Sequence, residues 1–259
     1  VERVNPAPPI LETRRLSVRL AATLALDGVD LTLRRGEVRA LVGRNGAGKT
    51  TLLRACAGLV APVSGEARLD GASLASLAPR ARAARVAFVA QRPSVAAGFL
   101  VEEVVAIGRY ALPADPGRIA AAIDRLGLEP LRARRFPTLS VGEQHRVAFA
   151  RALAQVPADG LLVVDEPFAA LDLGEAERIR RLLRAHAEGG GAVLVSIHEP
   201  GRLEGLADRV TLLAAGRVAL EAPLAELGPG ELERLGAELG APIRALERDG
   251  RRYLVPDRP

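Results

Sequence analysis

The chain has 259 residues, 49% of them hydrophobic, so it can bury one large core or two small ones. All but one of its 36 basic residues are arginine; with 31 acidic residues they leave a formal charge of only +5, and they are scattered rather than clustered among aromatics (3% of the chain), which argues against a nucleic-acid surface. A single cysteine, Cys56, excludes an internal disulfide and fits a reducing compartment, and no apolar run nears the roughly 18 residues that span a bilayer.

Residues 1–10, VERVNPAPPI, are Pro-rich and lack the cationic and apolar regions of a signal peptide; they read as a loose leader. Residues 16–20 and 29–33 read as strands, and VRALVG as a strand buried on both faces. TTLLRACAGL has helical spacing, GEARLDG reads as a short edge strand between glycines, and RVAFVAQ as another buried strand ending at Gln91. Residues 101–155 change character: VEEVVAIGRY, PGRIAAAIDRLGL and SVGEQHRVAFARALAQ read as three helices separated by Pro- and Gly-containing turns. Alternation then resumes with the strand GLLVVDEP, the helix GEAERIRRLLRAHAE, the strand GAVLVSIHEP and a hairpin in RVTLLAAGRVAL. The last stretch reads as a helix followed by two short strands. A helical insertion within an alternating pattern implies an α/β fold with a parallel-sheet core and a helical subdomain.

The only lysine, Lys49, lies in GRNGAGKT, residues 43–50, which fits G-x-x-x-x-G-K-[ST] between a strand and a helix, the context of a P-loop. Glycines let backbone N–H groups curl around phosphate oxygens, and the helix N-terminus adds its positive end. A compact ammonium approaches terminal phosphates as a point charge where a flat guanidinium is bulkier, which accounts for lysine in an arginine-rich chain. The Thr50 hydroxyl is a candidate Mg²⁺ ligand. Asp165 ends a buried strand and Glu166 follows it: the first is placed to hold Mg²⁺, the second to orient or deprotonate an attacking water. Ser140 and Glu143 fit a capping box at a helix start.

GRNGAGKT, Gln91, LSVGEQ, LLVVDEP, ALD and His198 stand in the order, and near the spacing, of ATP-binding cassette (ABC) ATPases, and residues 11 to about 220 resemble that family. The resemblance implies a P-loop NTPase (RecA-like) core with an N-terminal antiparallel β subdomain and an inserted α-helical subdomain. It implies an ATPase domain over residues 11–225, the helical insertion at about 95–157, and a C-terminal extension over 226–259. Two copies are expected to dimerise head to tail around two ATP molecules. Nucleotide contacts are then expected from Leu20, Gly43, Arg44, Asn45, Gly46, Ala47, Gly48, Lys49, Thr50, Thr51, Gln91, Ser140, Gly142, Glu143 and Asp172. Mg²⁺ is expected on Thr50, Gln91 and Asp165. Glu166 is implied as general base, with His198 reaching the γ-phosphate and Lys49 the terminal phosphates. Ser140 would face the γ-phosphate held by the partner, and Asp172 would contact the partner.

Two departures stand out. Val141 replaces the first glycine of the usual signature, while Gly142 keeps the second. The family stacks adenine on an aromatic side chain before the P-loop, but no aromatic precedes Phe88, and Leu20 occupies that position. Losing a stack worth on the order of 1 kcal/mol implies poor discrimination between ATP and GTP.

With one cassette and no membrane span, the chain resembles the separate ATPase subunit of a bacterial importer. VEEVVAIGRYALP and the C-terminal tail are similar to importers for iron chelates (siderophores), haem and cobalamin. That resemblance implies a homodimer at the cytoplasmic face of the inner membrane, peripheral to a permease dimer received near residues 91–109, with a periplasmic or surface substrate-binding protein acting indirectly. The rivals are a non-transport cassette acting on nucleic acid or ribosomes, and a regulatory module without turnover; the absence of a second cassette or coiled-coil insertion speaks against the first, and Glu166 and His198 against the second.

Overall fold

The computed structural model describes residues 8–95, 98–169, 171–248 and 251–257; residues 1–7 of the expected leader, 96–97 of the expected groove and helical insertion, Ala170 of the ALD turn, and 249–250 and 258–259 of the expected extension lie outside the described residues. The chain opens with β1 (Leu11–Leu20), β2 (Thr23–Leu33) and β3 (Val38–Val42), then α1 (Lys49–Cys56). Next come β4 (Ser64–Leu69), β5 (Ala72–Ser73), α2 (Pro79–Ala83), β6 (Val86–Val89), α3 (Val101–Ile107), α4 (Pro116–Arg125) and α5 (Val141–Gln155). β7 (Leu161–Val164), α6 (Leu173–Glu188), β8 (Ala192–Ser196), β9 (Arg209–Ala214) and β10 (Arg217–Pro223) follow, then α7 (Pro229–Leu239), β11 (Ile243–Arg248) and β12 (Arg251–Pro256).

Six strands form the central sheet in the order β10-β9-β3-β8-β7-β6, parallel except for the β9–β10 hairpin. Its middle strands are buried on both faces because the two-residue period sends alternate side chains into separate cores, and Arg39 of β3 stays buried by pairing with Glu37 and Glu221. Val38, Ala40 and Val42 of β3, with Val193 and Val195 of β8, pack on one face with α5 and α6 residues such as Phe149 and Leu183. Leu41, Leu161, Val163 and Leu194 pack on the other with α1 and the N-terminal sheet. Phe149 is fully buried, and removing its ring is expected to cost about 3–5 kcal/mol through lost transfer energy and the cavity left behind.

The second sheet, β2-β1-β4-β5, is antiparallel. Here β1 and β2 run longer than their apolar cores suggested, because bulges let β1 continue through Arg14 and Arg15. GEARLDG is not an edge strand: β4 lies between β1 and the two-residue β5, which forms the edge. Conversely, β6 is the edge of the central sheet, although three of its four residues are buried. Helix α5 packs against α3, α4 and β6, and α7 packs against β11.

The fold thus has the α/β class, parallel core sheet, N-terminal antiparallel sheet and helical layer expected from the sequence. Because β3, β6, β7 and β8 are parallel, their carboxyl ends emerge along one edge. Gly43, Gln91, Asp165 and His198 all follow those ends, where open α/β sheets bind ligands.

Candidate functional site

The loop between β3 and α1 is shaped by two glycines. Gly43 has φ 150°, and a Cβ there would sit 2.3 Å from the Leu213 carbonyl oxygen. Gly48 has φ 103°, and a Cβ would sit 2.7 Å from the Ala25 oxygen. Any side chain at either position would force backbone apart. The resulting loop wraps the Lys49 side chain: Nζ donates to the carbonyls of Gly43 at 2.7 Å and Arg44 at 3.1 Å. Burial holds the Lys49 ammonium below its ordinary pKa, while Glu166 and Asp165 act the other way.

The carboxylates come from the end of β7. Asp165 Oδ2 accepts from the Thr50 hydroxyl at 2.8 Å, and its Oδ1 accepts from the Ser196 hydroxyl at 2.6 Å. The next residue, Glu166, has φ 45°, a left-handed conformation unusual for a non-glycine residue. Gln91 Nε2 donates to Glu166 Oε2 at 2.6 Å. The His145 ring of α5 is buried near the Gln91 backbone, so the helical layer lies against the segment carrying that amide. Burial keeps His145 below the usual histidine range, with the Gln91 backbone acting the other way.

A cleft of about 540 Å³ gathers Leu20, Asn45, Gly46, Gly48, Lys49, Thr50, Thr51, Gln91, Glu166 and His198, together with Ala25. Gly43, Arg44 and Ala47 belong to the same loop without lining it, and Asp165 reaches it through Thr50. Leu20 lies at the cleft mouth, 46% exposed, and Leu24 beside it in β2 is 40% exposed. Exposed His198 borders both this cleft and a smaller cavity of about 120 Å³ behind Glu166, where Arg202 stacks 5.8 Å from the centre of the Phe168 ring.

Ser140, Gly142, Glu143 and Asp172 do not line the cleft. Ser140 caps α5 through a reciprocal box: its hydroxyl accepts from Glu143 N–H at 3.3 Å, and Glu143 Oε2 accepts from Ser140 N–H at 2.8 Å. That backbone bond holds the Glu143 carboxyl below its ordinary pKa. Asp172 caps α6 by accepting from Glu175 N–H at 2.8 Å. The two caps are neighbours: a Cβ on Gly142 would make ordinary contact with Leu171 at 3.7 Å. Two exposed helix N-termini thus lie side by side, outside the cleft.

Sequence reasoning passed over Ser196, Phe168, Arg202 and His145. Ser196 carried a readable signal, as the one polar residue in the otherwise apolar strand AVLVS. A buried hydroxyl needs partners, and here both belong to the carboxylate segment.

Known proteins share this chain's sequence and fold. A family model described as ABC transporter matches residues 26–169. The hemin import ATP-binding protein HmuV of Bradyrhizobium diazoefficiens is 38% identical over 255 residues, covering 95% of this chain and 94% of that protein. The protein of the same name from Nocardia farcinica is 45% identical over 208 residues, covering 78% and 72%. Among solved structures, an ATP-binding subunit of an ABC transporter superposes with a TM-score of 0.79 at 27% identity, covering 89% of this chain and 99% of the other. A dimeric ATP-binding cassette in a post-hydrolysis state with ADP and Pi gives 0.75 at 26% identity, covering 83% and 98%.

Proposed function

The chain belongs to the ABC transporter family as an ATP-hydrolysing subunit that drives import, and from that premise we propose that its cargo is a metal chelate, haem first, with ferric siderophore and cobalamin as the related alternatives. The cargo assignment rests on relatives named as hemin import ATP-binding proteins that align along nearly the whole chain.

The observation that carries the site reading is the convergence of Lys49, Thr50, Gln91, Glu166 and His198 on one cleft. ATP enters with its phosphates against the loop formed by residues 43–50, where backbone N–H groups and the start of α1 offer positive ends. Lys49, now satisfied by two loop carbonyls, exchanges them for terminal phosphate oxygens. Thr51 adds a hydroxyl at the same helix start, and Leu20 gives the base an aliphatic face.

The donors fit Mg²⁺. Thr50 and Asp165 present hard oxygens 2.8 Å apart, and Gln91 supplies an amide oxygen nearby. Thr50, Asp165 and Gln91 would hold the ion together with the substrate's own phosphates. When bound, Mg²⁺ neutralises charge on the β- and γ-phosphate oxygens. Glu166 orients the attacking water and accepts its proton, and the Gln91 amide leaves Glu166 when that water arrives. His198, at the edge of the same cleft, reaches the γ-phosphate.

Ser140, Gly142, Glu143 and Asp172 are left for a second copy. The exposed cap of α5, 57% exposed at Val141, is turned to a γ-phosphate held by the partner, which gives a head-to-tail homodimer with two ATP molecules. The permease dimer docks near residues 91–109, where Phe99, Ile107 and the adjoining Tyr110 are exposed. A substrate-binding protein acts beyond the membrane. Among the described residues no helix is long and apolar enough to cross a membrane, and the chain works as a peripheral subunit on the cytoplasmic face. Residues 11–225 form the ATPase domain, with the helical insertion at about 95–157, and residues 226–259 an extension.

The test is ATP hydrolysis by the full chain, alone and with its permease in liposomes, beside Glu166→Gln. The variant is expected to bind ATP, to lose turnover by about 10²–10⁴-fold, and to accumulate an ATP-dependent dimer on gel filtration. A monomer under all conditions would remove the base assignment. Stimulation by nucleic acid rather than by a haem-loaded permease would remove the transport reading.

A further inference from the structure

Ser196 ends β8 and is fully buried, at 0% exposure. Its hydroxyl spans two adjacent residues of the site: Oγ donates to Asp165 Oδ1 at 2.6 Å and accepts the Glu166 N–H at 2.8 Å. Asp165 is thereby gripped at both oxygens, since Oδ2 takes the Thr50 hydroxyl at 2.8 Å. Glu166 turns through φ 45°, a backbone state that a non-glycine residue keeps only where its surroundings hold it. That turn is what separates the two carboxylates, Asp165 toward Thr50 and Glu166 toward Gln91 and the cleft.

We propose that Ser196 is a positioning residue for hydrolysis: its hydroxyl fixes the Asp165 carboxylate and the Glu166 peptide relative to each other, so that the metal-holding and water-activating groups stay in register. It does not line the cleft, and it acts through those two residues. The two hydrogen bonds form one continuous run, Glu166 N–H to Ser196 Oγ–H to Asp165, so removing the oxygen releases both residues at once. Nucleotide affinity is set elsewhere, by the loop of residues 43–50 and Lys49, and does not depend on this hydroxyl. The proposal rests on the reading of Asp165 and Glu166 given above.

The experiment compares wild type, Ser196→Ala, Ser196→Cys and Glu166→Gln as full chains. Ser196→Ala is expected to bind a fluorescent ATP analogue in EDTA within about twofold of wild type and to hold KM within about threefold, while kcat falls at least about tenfold. Independently of turnover, the Mg²⁺ concentration that half-saturates the analogue's fluorescence change should rise several-fold. Ser196→Cys keeps the volume but hydrogen-bonds weakly, so it should fall between the two. A kcat within about threefold of wild type in Ser196→Ala, or a parallel loss of EDTA affinity, KM and kcat, would overturn the proposal. Should Ser196→Ala not fold, a folded Ser196→Cys with wild-type kcat overturns it equally. Loss of turnover in Glu166→Gln but not in Ser196→Ala would sink this inference alone, whereas full turnover in Glu166→Gln would sink both it and the site reading.

Discussion

Thr50 Oγ1 donates to Asp165 Oδ2 across 2.8 Å, joining the first turn of α1 to the end of β7 over 115 residues of sequence. In the proposed reading these two hard oxygens, beside an ammonium that lies 6% exposed, receive a divalent cation together with phosphate. Asp165→Asn keeps the shape and removes the charge. It is expected to lower Mg²⁺-dependent ATP turnover by roughly 100-fold while leaving metal-free ATP binding near the wild-type level. Parallel titrations with and without EDTA check this; equal loss in both would mean that Asp165 supports the fold and not the metal.

Lys49 is the sole lysine, and its ammonium fits between two loop carbonyls at 2.7 and 3.1 Å. A guanidinium is planar, broader and set for a fork of acceptors, so Lys49→Arg preserves charge but not shape. The variant is expected to weaken ATP binding by at least about tenfold, or about 1.4 kcal/mol, and to lose hydrolysis. Isothermal titration and a phosphate-release assay give both quantities. Arginine that binds and turns over like lysine would show that charge alone matters here.

The parts of this fold that could be read from the sequence were those in which local pattern and burial agree. The largely apolar strands β3, β7 and β8 are legible because both faces are covered, and the loop of residues 43–50 because its glycines and lysine stand at fixed offsets. What stayed hidden depends on distant pairing. The bulge around Arg14 and Arg15 breaks the two-residue alternation of β1, so its first half looks like loop. Only the β5 partner makes β4 an interior strand. The links from Ser196 to Asp165 and from Gln91 to Glu166 each join segments tens of residues apart. Motif spacing names the ends of such links and not the bonds between them.

Base selectivity should be weak. In the proposed reading the base meets Leu20 and Ala25, and among the described residues no Phe, Tyr or Trp lines the cleft for stacking. GTP is expected to be hydrolysed with kcat/KM within about tenfold of ATP, and Leu20→Tyr to favour ATP binding by roughly fivefold, the worth of a stack of about 1 kcal/mol. Competition between the two nucleotides measures this directly. A GTP efficiency near zero would mean that polar contacts outside this cleft read the base.

Val141 is the first residue of α5 and lies 57% exposed beside the Ser140 cap. The cap's own bonds run between Ser140 and Glu143 and do not involve the valine side chain. Val141→Gly therefore leaves the capping box intact and narrows the helix tip. ATP-dependent dimer formation and turnover are expected to be equal to or higher than wild type. A sharp loss of either would assign the valine a contact with the second copy.

Acid should destabilise the chain through His186. This residue is 6% exposed in α6, and its Nε2 lies 3.0 Å from the Gly160 carbonyl. Burial lowers its pKa, the Gly160 bond opposes that shift, Arg125 and Arg118 of α4 lower it further, and Asp159 raises it slightly. The folded protein thus favours neutral imidazole, whereas the unfolded chain takes up a proton near about pH 6.5. Below that value the unfolded state binds more protons, so this contribution to stability is complete above it and fades as pH falls, until the lowered folded pKa is passed. The melting temperature is expected to drop between about pH 7.5 and pH 5.5, and His186→Gln, whose amide can still donate to Gly160, should shrink that drop. His145, also held neutral by burial, accounts for part of what remains. Differential scanning fluorimetry of both proteins across this range decides the matter: an identical acid-induced fall in the variant would clear His186 of the effect.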